Sequence, residues 1–401
     1  MERAELVELL SPEGLRLLDS LPRYESAADV VRMVSDLRKQ GHPPGLVATV
    51  LTQSKLRAKA TAKFGPFASR MLFTEAGLEQ ATRLSVGARH AGRYAQAGLG
   101  RVADLGCGIG GDAMALAALD LEVTAVDVDE VTAAVASYNL APFSNAQVLC
   151  SRAEDIDLTA QDAVYLDPAR RTAGHSGTTR LSDPSDWSPS LDFVFGLAER
   201  MPVGVKLGPG LDRALLPQNA EAQWVSVDGQ VVEVGVWTGP LARDGIRRAA
   251  LIVHGDSVAE LTAAGDSDDE PTGALGEYLY EPDGAVIRAR LIGDVARGLQ
   301  ARMLRHDIAY LTSDRLTTTP FATAFRVIEE LPGKEAELRA ALAKRGVGTL
   351  EIKKRGADVD PAALRKRLKL KGGASATIVL TRIGARHATL LVERVDDEQP
   401  A

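Results

Sequence analysis

Apolar residues recur at helical spacing through the first 95 residues, and then the period changes. Stretches 24–39 and 45–59 carry them three and four apart, and Ser11-Pro12 supplies a cap followed by proline at a first helical position. This region reads as a small helical bundle, with a last helix over 75–96. From Arg101 onward short apolar runs alternate with helical stretches. Strands are predicted at 101–105, 121–126, 146–150, 162–167 and 203–207, and helices at 113–119, 128–139 and 191–200. Two further runs, 223–227 and 231–237, flank Asp228-Gly229, a hairpin signal, and 248–254 is another strand. Strands that alternate with helices imply an α/β protein with a parallel, doubly wound sheet.

The pattern changes again past residue 263. Residues 263–273 are acidic and rich in breakers, a linker by composition. A helix is predicted over 285–305. Then come a strand (321–330), a helix (335–345), a strand (349–355), a helix (360–371) and two strands (376–382 and 387–394). The chain divides on this reading into a helical region (1–95), a sheet domain (96–255), a linker with a connecting helical segment (256–320) and a small α+β domain (321–395).

The candidate chemistry centres on Arg101-Val-Ala-Asp-Leu-Gly-Cys-Gly-Ile-Gly-Gly-Asp112. It reads as strand, glycine turn and helix start. The glycines let backbone approach a ligand, and the helix that follows points its free N–H groups into the turn. Asp127 ends the next strand, where a carboxylate can accept from a ribose diol. Two cofactors fit. Gly106, Gly108 and Gly111 satisfy the dinucleotide spacing, with Asp127 at the distance it asks. The same residues also read Asp104-x-Gly106-x-Gly108-x-Gly110, with an acid near the strand end. A dinucleotide pyrophosphate would meet an unfavourable charge at Asp104, whereas an ammonium would be attracted.

In this second form the stretch resembles motif I of class I S-adenosylmethionine (SAM) methyltransferases. The resemblance implies a Rossmann-like sheet and SAM as cofactor. Asp104 would serve the methionine ammonium, Gly106, Gly108 and Gly110 the turn, and Asp127 the ribose. In that family a carboxylate after the third strand meets the adenine amino group, and Glu154 or Asp155 stands there. The segment 64–75, with Phe73 and Thr74, is similar to the phenylalanine-rich segment of the trimethylguanosine synthase family, which would lie over the cofactor. Asp167-Pro168 resembles the pair with which amino-methyltransferases hold a substrate amine. Those enzymes carry an aromatic fourth in this motif, and Arg170 stands in its place. Arg170 and Arg171 are therefore candidates to grip an anionic substrate group or to pair with nearby acids such as Asp183 and Asp186. Trp187 either replaces the missing stacking aromatic or anchors its loop. Lys206, at the end of the fifth strand, either binds an anionic substrate or satisfies Asp167.

Composition limits the alternatives. Cys107 and Cys150 are the only cysteines, so no disulfide framework is indicated, and the six histidines show no metal-ligand spacing. No apolar run spans a membrane and no signal-peptide pattern opens the chain, which makes the cytoplasm the expected compartment. The net charge of −7 hides an asymmetry. Residues 333–394 hold 15 Lys and Arg against 6 Asp and Glu, while residues 1–332 carry −13. Such a basic module suits a polyanion. The order of its elements resembles the THUMP-like domains at the C-termini of some bacterial methyltransferases, and THUMP domains proper bind RNA. The expected partner is RNA, held by Lys353, Lys354, Arg355, Arg365, Lys366, Arg367 and Lys369. The expected activity is methyl transfer from SAM to RNA. The rivals are a methyltransferase for a small molecule or protein, and a non-catalytic RNA-binding protein that keeps the fold.

Overall fold

The computed structural model describes residues 1–22, 24, 27–170 and 187–395. The chain divides into two compact units, Met1–Ala220 with Val236–Ala242, and Glu221–Gly235 with Arg243–Ala401. The first unit opens with α1 (Arg3–Leu9), α2 (Pro12–Ser20), α3 (Ala27–Lys39), α4 (Pro44–Phe64), α5 (Glu75–Gln80) and α6 (Leu84–Gln96). Ser11 caps α2 by accepting from the Gly14 amide, as its sequence implies. The helix expected over 75–96 is broken. Lys63 donates to the carbonyls of Leu78, Glu79 and Ala81 at 2.9, 2.6 and 2.7 Å, which ends α5 and frees residues 81–83 to turn. The turn carries Thr82 into the interior, within hydrogen-bond reach of Asp112.

Five parallel strands form the sheet of this unit: β1 (Arg101–Leu105), β2 (Glu122–Asp127), β3 (Ala146–Cys150), β4 (Ala163–Leu166) and, later, β7 (Val203–Leu207). Helices α7 (Gly111–Ala117), α8 (Glu130–Leu140) and α9 (Leu191–Ala198) connect them. A two-residue pair, β5 (Ala169–Arg170) with β6 (Trp187–Ser188), follows β4. The order is β3-β2-β1-β4-β7. The register puts Leu105 beside Val126 and Leu166, and Leu166 beside Val205. The residues one step further, Gly106, Asp127, Asp167 and Lys206, therefore line up along one rim of the sheet, at or just past the strand ends. That is where ligands bind in sheets of this kind. Leu46, Val50, Phe64, Phe73, Val102, Leu116 and Tyr165 share one core, so the N-terminal helices and the sheet bury their apolar faces together.

The second unit begins with β8 (Glu221–Val227) and β9 (Gln230–Trp237), joined through Asp228 and Gly229 at φ 50° and 77°. Positive φ at both turn positions is the tight-hairpin geometry the Asp-Gly pair predicts. β10 (Arg248–His254) runs parallel to β8, and β11 (Ser257–Ala263) pairs antiparallel with β10. A second sheet has seven strands: β12 (Tyr278–Pro282), β13 (Arg302–Arg305), β14 (Ile308–Ser313), β15 (Ala322–Leu331), β16 (Val347–Lys354), β17 (Ala374–Ile383) and β18 (Arg386–Arg394). Its order is β13-β14-β12-β15-β18-β17-β16. Helices α10 (Gly284–Ala289), α11 (Ile292–Gly298), α12 (Glu335–Lys344) and α13 (Pro361–Leu368) complete the unit.

Two expectations fail here for identifiable reasons. The helix predicted over 285–305 is two short helices and a strand. Arg290 adopts φ 62° and stops α10, and residues 302–305 pair with β14 instead. The stretch expected to be linker and connecting segment contributes β11 and three strands of the seven-stranded sheet. Its turn at Arg305–Ile308, Arg-His-Asp-Ile, carries only a lone Asp307 and no glycine, proline or asparagine, a weak turn signal.

Candidate active site

The glycine turn is tied to the end of β2. The amides of Gly106 and Cys107 donate to the Val126 carbonyl at 2.8 and 2.9 Å, and the Gly108 amide donates to Asp127 Oδ2 at 3.0 Å. Gly106, at φ 92°, has the Asp167 carbonyl so close that a Cβ would stand 3.3 Å from its oxygen. The turn after β1 and the turn after β4 thus touch. The segment before α5 is stitched to the same turn by Asn139 of α8. Its side chain accepts from the Leu72 amide at 2.8 Å and donates to the carbonyls of Leu72 and Ile109 at 3.0 and 2.9 Å.

Four acids stand around this turn in different electrostatic states. Asp104 is 1% exposed, and neither carboxylate oxygen has a hydrogen-bond partner among the described residues. Burial drives its carboxyl well above the ordinary range, and Asp112 and Asp167 add to the push while Lys206 opposes it. Asp112 is also buried, at 7% exposure, but is satisfied. Its Oδ1 lies 2.8 Å from His90 Nδ1 and its Oδ2 accepts from Thr82 Oγ1 at 2.6 Å. Burial pushes its carboxyl up, but His90, Lys206 and Thr82 outweigh that and leave it below the ordinary range. Burial also raises Asp127, against the pull of the Asp129 and Gly108 amides. Asp167 is a third exposed and forms an ion pair with Lys206. Lys206 Nζ also donates to Thr82 Oγ1 at 2.9 Å, and the Tyr165 hydroxyl lies 3.1 Å from His90 Nδ1.

Comparison with known proteins interprets this arrangement. Residues 322–394 match the family described as THUMP domain-like, and residues 2–60 match a domain of unknown function. Uncharacterized S-adenosylmethionine-dependent methyltransferases from two strains of Mycobacterium tuberculosis, CDC 1551 and H37Rv, are each 36% identical over 366 residues. Those alignments cover 88% of this chain and 97% of each relative. The chain belongs to the S-adenosylmethionine-dependent methyltransferases. A crystal structure of a putative methyltransferase from Porphyromonas gingivalis W83, 20% identical, superposes with a TM-score of 0.69 over 93% of this chain and 100% of that one. The fold of the methyltransferase is therefore the Rossmann-like one that motif I implied, with a THUMP-like domain at its C-terminal end.

SAM is the cofactor, and the described residues fit it at the position that matters most electrically. SAM carries an ammonium with N–H donors, and Asp104 offers two buried carboxylate oxygens that lack them. The other residues singled out from sequence are placed less uniformly. Gly106, Gly108 and Gly110 stand in the turn, and Asp127, at the end of β2, is tied to it through the Gly108 amide. Glu154 and Asp155 occupy an exposed turn after β3, with Arg152 3.6 Å from Glu154. Phe73 is fully buried, its ring 5.8 Å from that of Phe64, and Thr74 caps α5 by accepting from the Gly77 amide at 2.9 Å. Pro168 is buried beside Asp167. The backbone of Arg170 pairs with Trp187, while Arg171, Asp183 and Asp186 lie outside the described residues. Trp187 is 2% exposed and presents no stacking face, while the loop before it lies outside the described residues. Thr82, His90, Asp112 and Asn139 were not anticipated. Each is polar and buried, and only the partners reveal it; the Asp closing the glycine stretch at 112 was the one visible hint.

The basic cluster of the THUMP-like domain divides in two. Lys353 lies 2.8 Å from Glu281 with its ammonium 5.5 Å from the Phe325 ring centre. Arg355 lies 3.6 Å from Glu281 and over Tyr310. These two cations are part-buried partners of Glu281, which leaves them less charge to offer a polyanion than the exposed ones. Arg367 is exposed but pairs with Glu335 at 2.9 Å. Lys354, Arg365, Lys366, Lys369 and Lys371 are surface residues at the edge of the domain, the first four of them exposed and Lys371 likewise.

Proposed function

We propose that the methyltransferase transfers the methyl of SAM to RNA. The observation that carries this reading is the THUMP-like domain, whose exposed Lys354, Arg365, Lys366, Lys369 and Lys371 suit a phosphate backbone. Asp104 holds the cofactor ammonium. The backbone around Gly106, Gly108 and Gly110 lies along its chain. Asp127 accepts from the ribose, since a carboxylate that already takes the Gly108 and Asp129 amides keeps further lone pairs. Glu154 or Asp155 takes the adenine amino group. Bound SAM supplies a methyl on a sulfonium. The chain itself mainly orients the nucleophile and receives the charge that moves in an in-line displacement. Asp167 performs that orientation, with Pro168 fixing the backbone behind it, and Arg170 receives an anionic group of the substrate.

The test uses an extract of cells that lack the gene, which holds the unmodified acceptor whatever its class. Labelled SAM and the purified enzyme are added, and the label is followed through nuclease and protease digestion. Nuclease-released label supports RNA. Protease-released or freely soluble label assigns a protein or a small molecule. The pairing of Lys353, Arg355 and Arg367 with acids lends that second reading some weight, because it trims the charge available to a polyanion.

A further inference from the structure

Lys206 had two possible roles in the sequence, and the geometry separates them. Its side chain is 11% exposed and runs from the end of β7 to the Asp167 carboxylate and the Thr82 hydroxyl. Thr82 accepts from Lys206 and donates onward to Asp112, which is held by His90. Thr82 itself sits in the break between α5 and α6 that Lys63 keeps open. The side chains run from the rim to the core in order of burial, from Asp167, a third exposed, through Lys206 to the buried Thr82, Asp112 and His90. Enclosing a lysine this deeply costs stability unless its charge is used, and an apolar side chain of the same volume would serve a purely structural role as well.

We infer that Lys206 is a positioning residue for methyl transfer, fixing the Asp167 carboxylate from a buried anchor made of Thr82, Asp112 and His90. This rests on the reading above that Asp167 orients the nucleophile. The Asp167 side chain has rotamers of its own, and a flexible acceptor would lose much of its orienting value. The ion pair removes that freedom. The hydroxyl of Thr82 sets where the ammonium stands, and the Asp112–His90 pair sets where the hydroxyl points. Burial and the nearby Lys206 charge push the Lys63 ammonium down to about 8, as expected of two lysines that serve one small region.

The test compares Lys206→Met, Thr82→Val, Thr82→Ser and Asp167→Ala with wild type. Label transfer from SAM is measured across dilutions of extract from cells lacking the gene, and SAM affinity is measured by calorimetry. Thr82→Val replaces the hydroxyl with a methyl of similar volume and keeps Lys206 in place, so it keeps the test open if Lys206→Met folds poorly. Lys206→Met and Thr82→Val are expected to lower kcat by about tenfold or more while the apparent KM and the SAM Kd stay within about twofold. Thr82→Ser, which restores the hydroxyl, is expected to recover most of that kcat. A raised KM with kcat intact would mean that Lys206 touches substrate and would overturn the proposal. So would loss of SAM affinity in Thr82→Val, or wild-type kcat in both Lys206→Met and Thr82→Val while Asp167→Ala is inactive. Full activity in Asp167→Ala would instead remove the underlying role of Asp167.

Discussion

Asp104 in the first unit and Glu221 in the second are carboxylates equally withdrawn from water, at 1% and 0% exposure. Glu221 receives the backbone amide of Arg243 at 3.0 Å and its guanidinium at 2.6 Å, and the same guanidinium also reaches Glu260 at 2.6 Å. Burial alone would lower the Arg243 guanidinium, but Glu260 and Glu221 hold it well above its ordinary value. Asp104 has Lys206 in the vicinity and no hydrogen-bond donor among the described residues. The chain completes Glu221 from its own residues, whereas at Asp104 it leaves both oxygens to the cofactor ammonium proposed above. Burial alone does not distinguish a scaffold charge from a ligand charge; the donors around it do.

The contrast is expected to break hardest at Arg243. Arg243→Ala leaves Glu221 enclosed without its cation, and the expected loss is about 3–5 kcal/mol in denaturant unfolding. A loss below about 1 kcal/mol would show that Glu221 finds water or another donor. Asp104→Asn should act the other way. SAM affinity by calorimetry is expected to fall about 30-fold, or ~2 kcal/mol, for loss of a charge-assisted contact. The ligand-free chain is expected to melt at the same temperature or higher. Lower stability without ligand would place Asp104 in the scaffold.

Titration sharpens the same contrast. The folded Asp104 carboxyl lies above its unfolded value, so the folded chain binds more protons between the two values and loses stability as pH rises through that window. Asp104→Asn removes this slope, and the variant should gain on wild type as pH climbs from about 4. A bound ammonium favours the ionised form, so SAM binding should release a proton while pH is below the raised value. Calorimetry in buffers of unlike ionisation heat reads that proton directly. The smallest effects are expected in the THUMP-like domain. Alanine at Lys354, Arg365, Lys366 or Lys369 should each weaken RNA retention and reduce the salt slope by about one, whereas Lys353→Ala should lower stability through Glu281. Equal salt slopes for Lys353→Ala and Lys366→Ala would erase the distinction between acid-paired and exposed cations.

What was legible in the sequence depends on how local each signal is. The parallel strands, the glycine turn and the Asp-Gly hairpin are written in neighbouring residues, and the structure has them. Asp127, Asp167 and Lys206 could be placed at strand ends because β1, β2, β4 and β7 are short and in register. The remaining parts depend on distant partners. Thr82 looks like an ordinary helical residue until Lys63 ends α5, and Glu281 looks like a solvated acid until β16 brings Lys353 to it. Residues 285–305 misled for the opposite reason, since an alanine- and arginine-rich composition favours helix wherever tertiary pairing does not intervene.

The pairing of β15 with β12 carries a consequence for how this domain travels between proteins. Residues 322–394 are the recurring family segment, yet Leu279, Leu304, Ile308 and Tyr310 lie in the same core as Phe325, Val379 and Leu390. A fragment starting at residue 322 would present β15 as a bare edge and an opened apolar face, the surface on which chains aggregate. Inheritance of the domain by a new host would therefore require residues 278–313 to move with it, or a replacement for them supplied by the host.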